Sequence, residues 1–196
     1  YPSGEKNVYI NYNGSGGVQI SNIWRKFLFG WKFDGTRLLF SGYPTQKSRI
    51  MFHRNIKERV KTIAPFLKFD DDPYIVLAKG KLYWIIDAYT VSLDYPYSEP
   101  TTSQPRIRSF RRRLFNAIKE RRDLAGINYI RNSVKTVVDA FNGTVTFYIF
   151  EKNDPLIKTW SKVFPNLFKG REEMPKEILS HIRYPADMLL IQGLAY

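Results

Sequence analysis

The sequence predicts an α+β fold in which antiparallel hairpins form a sheet and helices pack on one side of it. Two observations favour this class. Runs rich in Val, Ile, Thr and aromatic residues are joined in pairs by short turns that contain Gly. Segments with apolar residues at helical spacing lie before, between and after these pairs. With 196 residues, of which 43% are hydrophobic, the chain can bury a sizeable core, and we expect a single domain over 1–196.

The strongest hairpin signal is the dipeptide Asn142-Gly143, which lies between two runs of β-forming residues. Asn and Gly both adopt positive φ readily, as a two-residue turn of the mirror-image type requires. The predicted strands are 134–141 and 144–150. A second hairpin is predicted in the same way, with strands at 74–78 and 82–89 around Lys79-Gly80.

Two acidic residues, Asp87 and Asp139, occur in similar sequences, IIDAY and VVDAF, one in each hairpin. Alternation along a strand places each Asp on the same side as apolar residues, where its charge needs hydrogen-bond donors. One interpretation is structural, with each Asp accepting N–H groups of an adjacent turn. The other is a catalytic carboxylate pair, which makes the chain a hydrolase assisted by His53 or His181.

Helices are predicted from apolar spacing and from capping residues. Asn22 and Asp154 are suited to cap helix N-termini, and Pro155 fits the first helical position. In the first helix the apolar side chains share one side: Ile23, Trp24, Phe27, Leu28 and Trp31. The predicted ranges are about 22–33, 48–64, 155–164, 174–182 and 185–196.

Composition excludes several kinds of site. The chain contains no Cys, which excludes disulfides, thiolate metal sites and cysteine nucleophiles. It contains two His, so a multi-histidine metal site is not expected, and no cofactor is expected either. The three acidic residues at 70–72 are consecutive, whereas calcium loops use spaced acids with a central Gly. They therefore favour a solvated turn.

The formal net charge of +13 indicates an anionic partner, either nucleic acid or an anionic membrane surface. The connector 95–105, rich in Pro, Ser and Thr, is the best candidate for an internal boundary. After it, the segment 106–126 predicts a basic amphipathic helix. The candidate residues for binding an anionic surface are Arg108, Arg111, Arg112, Arg113, Lys119, Arg121 and Arg122.

Three interpretations of this basic helix are open. It is a solvated face that rests its apolar stripe on the hairpins, a membrane-surface element at anionic headgroups, or a nucleic-acid binder. Because no known DNA- or RNA-reading motif surrounds it, nucleic-acid binding through 106–122 ranks third. No segment of the sequence approaches the roughly 20 apolar residues needed to cross a bilayer.

Six stretches of the sequence carry a family resemblance: SRIMFHRNIKERVKTIAPFLKFDDDPY at 48–74, GKLYWIIDAYT at 80–90, YPYSEP at 95–100, INYIRNSVKTVVDAFNGTVTFYIF at 127–150, NDPLIKTWSKVFPNLF at 153–168 and MPKEILSHIRYPADM at 174–188. Together they resemble Uncharacterised Protein Family 0182, large bacterial multi-pass membrane proteins with a big extracytoplasmic region. The match covers nearly the whole chain and is more specific than any short motif.

The resemblance implies that the chain is an excised soluble segment of a longer protein of the cell membrane, with its soluble part outside the cytoplasm. The absence of an initial Met agrees with this expectation. The implied partners are the protein's own transmembrane region, anionic lipid headgroups or an envelope polymer. The family brings no assigned catalytic or binding residues, and the arginine-rich 106–126 departs from its pattern as an elaboration.

The leading functional hypothesis is therefore a non-enzymatic extracytoplasmic module that binds a partner, the cell envelope or the membrane surface. The first alternative is a hydrolase that uses Asp87 and Asp139 as paired carboxylates. The second is a nucleic-acid binder that uses the basic helix.

Overall fold

The computed structural model of the chain describes residues 2–3, 6–7, 12–33, 35, 40, 45, 47–101 and 124–195. The chain divides into two compact units. The N-terminal unit comprises Tyr1–Phe52 and Phe141–Gly143, and the sheet unit comprises His53–Ala140 and Thr144–Tyr196. A single domain with an internal boundary near 95–105 stays a prediction.

In its described residues, the N-terminal unit contains two short antiparallel strand pairs and a helix of ten residues. Asn22 caps the helix, α1 (Ile23–Lys32), by accepting a hydrogen bond from the Arg25 N–H at 2.9 Å, as the sequence predicts. The strand pairs are β1 (Pro2–Ser3) with β2 (Lys6–Asn7), and β3 (Val18–Gln19) with β4 (Arg49–Ile50).

The sheet unit is built on one six-stranded sheet. Its strands are β5 (Lys68–Phe69), β6 (Tyr74–Ala78), β7 (Lys81–Ser92), β8 (Tyr129–Asp139), β9 (Val145–Ile149) and β10 (Phe168–Gly170). The order across the sheet is β10-β9-β8-β7-β5, and β6 pairs with the first part of β7. The β10–β9 pair is parallel and the other pairs are antiparallel.

Both predicted hairpins are present, but one turn differs from the prediction. The turn Lys79-Gly80 between β6 and β7 has positive φ at both residues, 50° and 70°, as the mirror-image type requires. In the β8–β9 loop Gly143 has φ 71°, whereas Asn142 is not among the described residues with positive φ. The mirror-image turn predicted at Asn142-Gly143 is therefore wrong. The Asn142 Oδ1 instead accepts a hydrogen bond from the Ser15 N–H at 3.0 Å.

The described part of the sheet unit contains the helices α2 (Ile56–Ile63), α3 (Pro155–Val163), α4 (Lys176–Leu179) and α5 (Ala186–Ala195). Helices α3 and α5 follow the predicted ranges closely, and α4 is shorter than predicted. The helix predicted over 48–64 begins only at Ile56, because Asn55 caps it there. His53 therefore lies before α2 rather than within it.

The two long strands β7 and β8 are buried along most of their length, as expected of strands that are covered on both faces. On one face Ile86 packs with Val60 of α2 and Ile157 of α3. On the other face Ile85 packs with Ile178 of α4. The α+β class is confirmed, with helices on both faces of the sheet rather than on one.

The basic segment 106–126 lies almost entirely outside the described residues, which do not include 102–123. The basic helix and its seven candidate binding residues therefore stay a prediction. Within the described part of the chain, no helix is long and apolar enough to cross a membrane.

Candidate anion-binding groove

A β-bulge in β8 directs polar side chains to the two faces of the sheet. The pairing of β7 with β8 shifts near Tyr89, which faces both Asn132 and Ser133. A bulge breaks the alternation of side chains along a strand and re-aims those beside it. On one face the Asn132 Nδ2 donates to Asp87 Oδ1 at 3.0 Å. On the other face the Ser133 hydroxyl donates to Asp154 Oδ2 at 2.6 Å.

The first of these faces carries a buried ion pair between Lys135 and Asp87. The two residues stand directly opposite each other in the β7–β8 ladder, and their side chains are 5% and 3% exposed. The Lys135 Nζ also donates to the Arg183 carbonyl oxygen at 3.3 Å. Burial raises the pKa of Asp87 above its usual range, while the Lys135 ammonium and the Asn132 amide oppose that rise.

The carboxylate pair of the hydrolase hypothesis is not formed. Asp139 stands opposite Tyr83 in the ladder, whereas Asp87 stands opposite Lys135. These positions are four residues apart along each strand, which corresponds to about 13 Å at the usual rise. Catalytic carboxylate pairs lie roughly 5–9.5 Å apart. Asp87 is instead the counter-ion of a buried lysine.

A groove of about 860 Å³ lies over Lys135. One wall is the segment 128–135, which includes the first part of β8, and the other is the segment 182–192, which includes the first part of α5. Phe150, which follows β9, and Arg171, which begins a single 3₁₀ turn, also line it. Its volume is within the range of roughly 300–1,000 Å³ that is typical of ligand sites.

Three exposed arginines line this groove, and each lies over an aromatic ring. Arg131 stands opposite Thr90 in the ladder, so it reaches the groove from the face of the sheet that carries Asp154. Stacking on a ring orients the planar guanidinium group while leaving its N–H donors available. Among the residues that the structure describes, no carboxylate forms an ion pair with any of the three. The distances from guanidinium carbon to ring centroid are 5.9 Å for Arg131 over Tyr129, 5.0 Å for Arg171 over Phe150 and 4.5 Å for Arg183 over Tyr74.

Asn132 adds an acceptor to the lining of the groove. Its amide nitrogen donates to Asp87, and its buried Oδ1 has no hydrogen-bond partner in the described part of the chain. A buried acceptor left without a partner costs about 1–3 kcal/mol. One acidic side chain, Glu151, is among the groove's lining residues, so basic groups are in excess.

Asp154, on the opposite face, has a structural role. Its carboxylate caps α3 by accepting the N–H groups of Leu156 and Ile157. Burial acts to raise the pKa of Asp154, but its hydrogen-bond donors outweigh burial and hold the pKa below its usual range. The hydroxyl donors, with their distances to the carboxylate, are Thr90 at 2.5 Å, Ser133 at 2.6 Å and Tyr129 at 2.7 Å.

Two buried acids fix the start of α5 beside the groove. Asp70 accepts a hydrogen bond from the Asp187 N–H at 3.0 Å, and Asp187 accepts one from the Asp71 N–H at 3.2 Å. The Tyr89 hydroxyl also donates to Asp70, and burial raises the pKa of Tyr89. The solvated turn predicted at 70–72 is therefore wrong for Asp70, which is 2% exposed because it caps this helix.

Sequence reasoning did not find the arginines of the groove. They come from three separate segments that folding brings together, and no run or motif marks them. The residues that did stand out are placed differently: His53 and His181 are exposed. No group of three or more His, Asp or Glu in the described residues is placed to hold a metal ion.

Comparison with known proteins gives one consistent family. The model of an uncharacterised protein family (UPF0182) matches residues 1–196. A UPF0182 protein of Sulfurovum sp. (strain NBC37-1) is 50% identical over 197 residues, which cover 100% of this chain and 20% of that protein. UPF0182 proteins of Trichodesmium erythraeum and Bradyrhizobium diazoefficiens are 45% and 47% identical, and the matches cover 100% of this chain and 21% and 19% of those proteins.

No solved structure matches the chain. The chain spans about one fifth of the length of the curated relatives that it matches. The resemblance carried by its sequence is confirmed by the family match over its full length and by these identities. The chain belongs to the uncharacterised protein family UPF0182.

Proposed function

We propose that this chain is a non-enzymatic binding segment in the extracytoplasmic part of an integral membrane protein. Its groove binds an anionic, hydroxyl-bearing polymer of the cell envelope. The observation that carries the proposal is the set Arg131, Arg171 and Arg183, each lying over an aromatic ring and without a carboxylate partner in the described residues.

The arginines determine the charge of the ligand. A guanidinium group presents a rigid fork of N–H donors that matches a carboxylate or a phosphate group. Arg131 lies on β8, Arg171 in the 3₁₀ turn and Arg183 before α5, so the positive charge is spread along the groove. Such a distribution favours a polymer with repeated anionic groups over a single small ion.

A further feature of the groove favours hydroxyl groups on that polymer, which give it both apolar and polar surface. Tyr95 and Tyr129 also line the groove, and their rings stack with centroids 4.9 Å apart. Stacked tyrosines offer a flat apolar surface beside the arginines, which suits a ligand of mixed polarity.

The proposal is for binding rather than hydrolysis, because the two carboxylates suggested for hydrolysis stand about 13 Å apart along the ladder. Asp87 is also neutralised by Lys135. Neither carboxylate is placed to activate water while the other protonates a leaving group.

The membrane context is part of the proposal and rests on the family resemblance; the length of the relatives leaves room for it. They are about five times longer than this chain. We place the transmembrane region in that additional length, as the partner that holds this segment at the cell membrane near anionic headgroups and envelope polymers. The basic helix over 106–122 is then a second surface for the same kinds of partner.

Isothermal titration calorimetry with two probes tests the groove: a poly(glycerol phosphate) and polygalacturonate, the first carrying phosphates and the second carboxylates. We expect saturable binding of one or both, with affinity that falls as salt rises. Replacing any one of Arg131, Arg171 and Arg183 by Gln is expected to lower the affinity by about tenfold or more, since a hydrogen bond to a charged group contributes about 1.5–3 kcal/mol.

Lys158→Gln is the matched control, because it removes one exposed positive charge from α3 and leaves the groove untouched. If Lys158→Gln and the arginine variants lose equally little affinity for the polymers, the proposal is overturned, because the polymers are then attracted by net charge alone. If a single-stranded oligonucleotide binds through the same arginines more tightly than either polymer, the nucleic-acid alternative replaces it.

A further inference from the structure

Helix α1 of the N-terminal unit carries an apolar stripe that is exposed rather than buried. Ile23, Trp24, Leu28 and Trp31 are 73%, 72%, 63% and 81% exposed. At about 100° per residue, the stripe that they form with Phe27 covers roughly 140° of the helix surface. A helix of a globular protein normally turns such a stripe toward the core, so the exposed stripe needs an explanation.

The ring contacts that hold α1 lie on its other side, at Phe29. Gly30, beside the edge of the stripe that Ile23 forms, is buried. The ring of Phe29 has its centroid 6.1 Å from the rings of both Phe33 and Phe52. The helix is therefore anchored on that side through Phe29, and this anchoring directs the stripe away from the other described residues of its own unit.

The charges on α1 indicate what covers the stripe. The helix contains three basic residues, Arg25, Lys26 and Lys32, and no acidic residue. Arg25 and Lys32 are exposed and lie at one border of the stripe. Trp side chains next to Lys and Arg are typical of the zone where lipid headgroups meet acyl chains, and the basic groups complement lipid phosphates.

We infer that α1 is a membrane-surface helix that lies in the interface of an anionic lipid bilayer. Trp24, Leu28 and Trp31 insert among the lipids, and Arg25 and Lys32 contact their phosphates. With 10 residues the helix is about 15 Å long, which suits a helix lying in the plane of the interface. The inference goes beyond the proposed groove, since α1 belongs to the N-terminal unit and the groove to the sheet unit.

Co-sedimentation of the chain with vesicles tests the inference. One set of vesicles contains phosphatidylglycerol and phosphatidylcholine, and the other contains phosphatidylcholine alone. We expect binding to the anionic vesicles and little binding to the neutral ones. Trp24→Ala/Trp31→Ala is expected to weaken binding at least tenfold through lost apolar burial. Arg25→Gln and Lys32→Gln are each expected to weaken it about fivefold.

Matched controls separate α1 from the rest of the chain. Leu77→Ala removes an apolar side chain that is 64% exposed on β6, close to the 63% of Leu28. It is expected to leave vesicle binding unchanged, whereas Leu28→Ala lowers it. Circular dichroism of every variant is expected to match the wild type, because each replaced side chain is exposed.

Quenching of Trp fluorescence by brominated acyl chains gives a second readout. The chain has four Trp residues, and Trp24→Phe/Trp31→Phe leaves Trp84 and Trp160 as reporters. Quenching is expected in the wild type and is lost in this double variant. Persistent quenching in the variant, equal binding to both kinds of vesicle, or no binding overturns the inference. So does a dimer in sedimentation velocity that Trp24→Ala/Trp31→Ala dissociates, since a second copy then covers the stripe.

Discussion

The ammonium group of Lys135 and the carboxylate of Asp87 form an ion pair directly across the β7–β8 ladder, with neither side chain more than 5% exposed. Removing one partner leaves the other charge buried and unpaired. Lys135→Met is therefore expected to lower the free energy of unfolding by about 3–5 kcal/mol. Urea unfolding followed by circular dichroism measures this change.

The double variant Asp87→Leu/Lys135→Met is the control for that pair. Because it removes both charges and replaces them with apolar groups, it is expected to be more stable than Lys135→Met alone. If Lys135→Met lowers the free energy of unfolding by less than about 1 kcal/mol, which is the loss typical of an exposed pair, the result contradicts the burial of this ion pair.

Asp154 accepts hydrogen bonds both from residues near the bulge of β8 and from the start of α3, and its charge is expected to stabilise both. In Asp154→Asn the amide still caps the helix, but it no longer offers two charged oxygens to Thr90, Ser133 and Tyr129. Hydrogen bonds to a charged group contribute about 1.5–3 kcal/mol, so a loss of that order is expected at pH 7. Asp94→Asn, at an exposed position, is the control and is expected to be neutral.

The same carboxylate predicts a pH dependence. The folded protein holds the pKa of Asp154 below its usual range. The contribution of this carboxylate to the free energy of unfolding is therefore fully present above the unfolded pKa of about 3.9. It is lost as the pH falls through the lower folded pKa. The stability difference between wild type and Asp154→Asn is therefore expected to shrink below about pH 4. A difference that stays constant from pH 7 to pH 2.5 contradicts the lowered pKa.

Local signals in the sequence predicted the elements whose structure depends on neighbouring residues. Asp154-Pro155 starts α3 as predicted, because an acceptor side chain and a fixed φ act within one turn. The hairpin around Lys79-Gly80 also forms as predicted. The adjacent apolar residues Ile85 and Ile86 were a signal that both faces of the sheet are covered.

The site depends on pairing between distant segments, which explains why it was not predicted. Alternation counted along β8 places Ser133 and Lys135 on one face, but the bulge near Tyr89 sends Ser133 to the other. Asp87 has its role only through Lys135, 48 residues away along the chain. A pattern read along one strand contains no information about the residue that will stand opposite.

Tyr89 donates its hydroxyl hydrogen to Asp70 and is fully buried. Tyr89→Phe keeps the ring and removes the donor, while Asp70 keeps the N–H groups of Asp72 and Asp187. A loss of about 1.5–3 kcal/mol is expected, because the hydrogen bond is to a charged group. Tyr97→Phe, at a fully exposed tyrosine, is the control and is expected to be neutral in the same urea titration.

At the turn between β6 and β7, the cost of a positive φ can be measured without a steric clash of the new side chain. Gly80 has φ +70°, and a Cβ added there meets nothing within 4 Å. Gly80→Ala is therefore expected to cost about 1–2 kcal/mol, the usual penalty for an L-residue in the left-handed region. Lys79, with φ 50°, already carries this penalty in the wild type. If urea unfolding finds Gly80→Ala neutral, the turn does not hold positive φ at both positions.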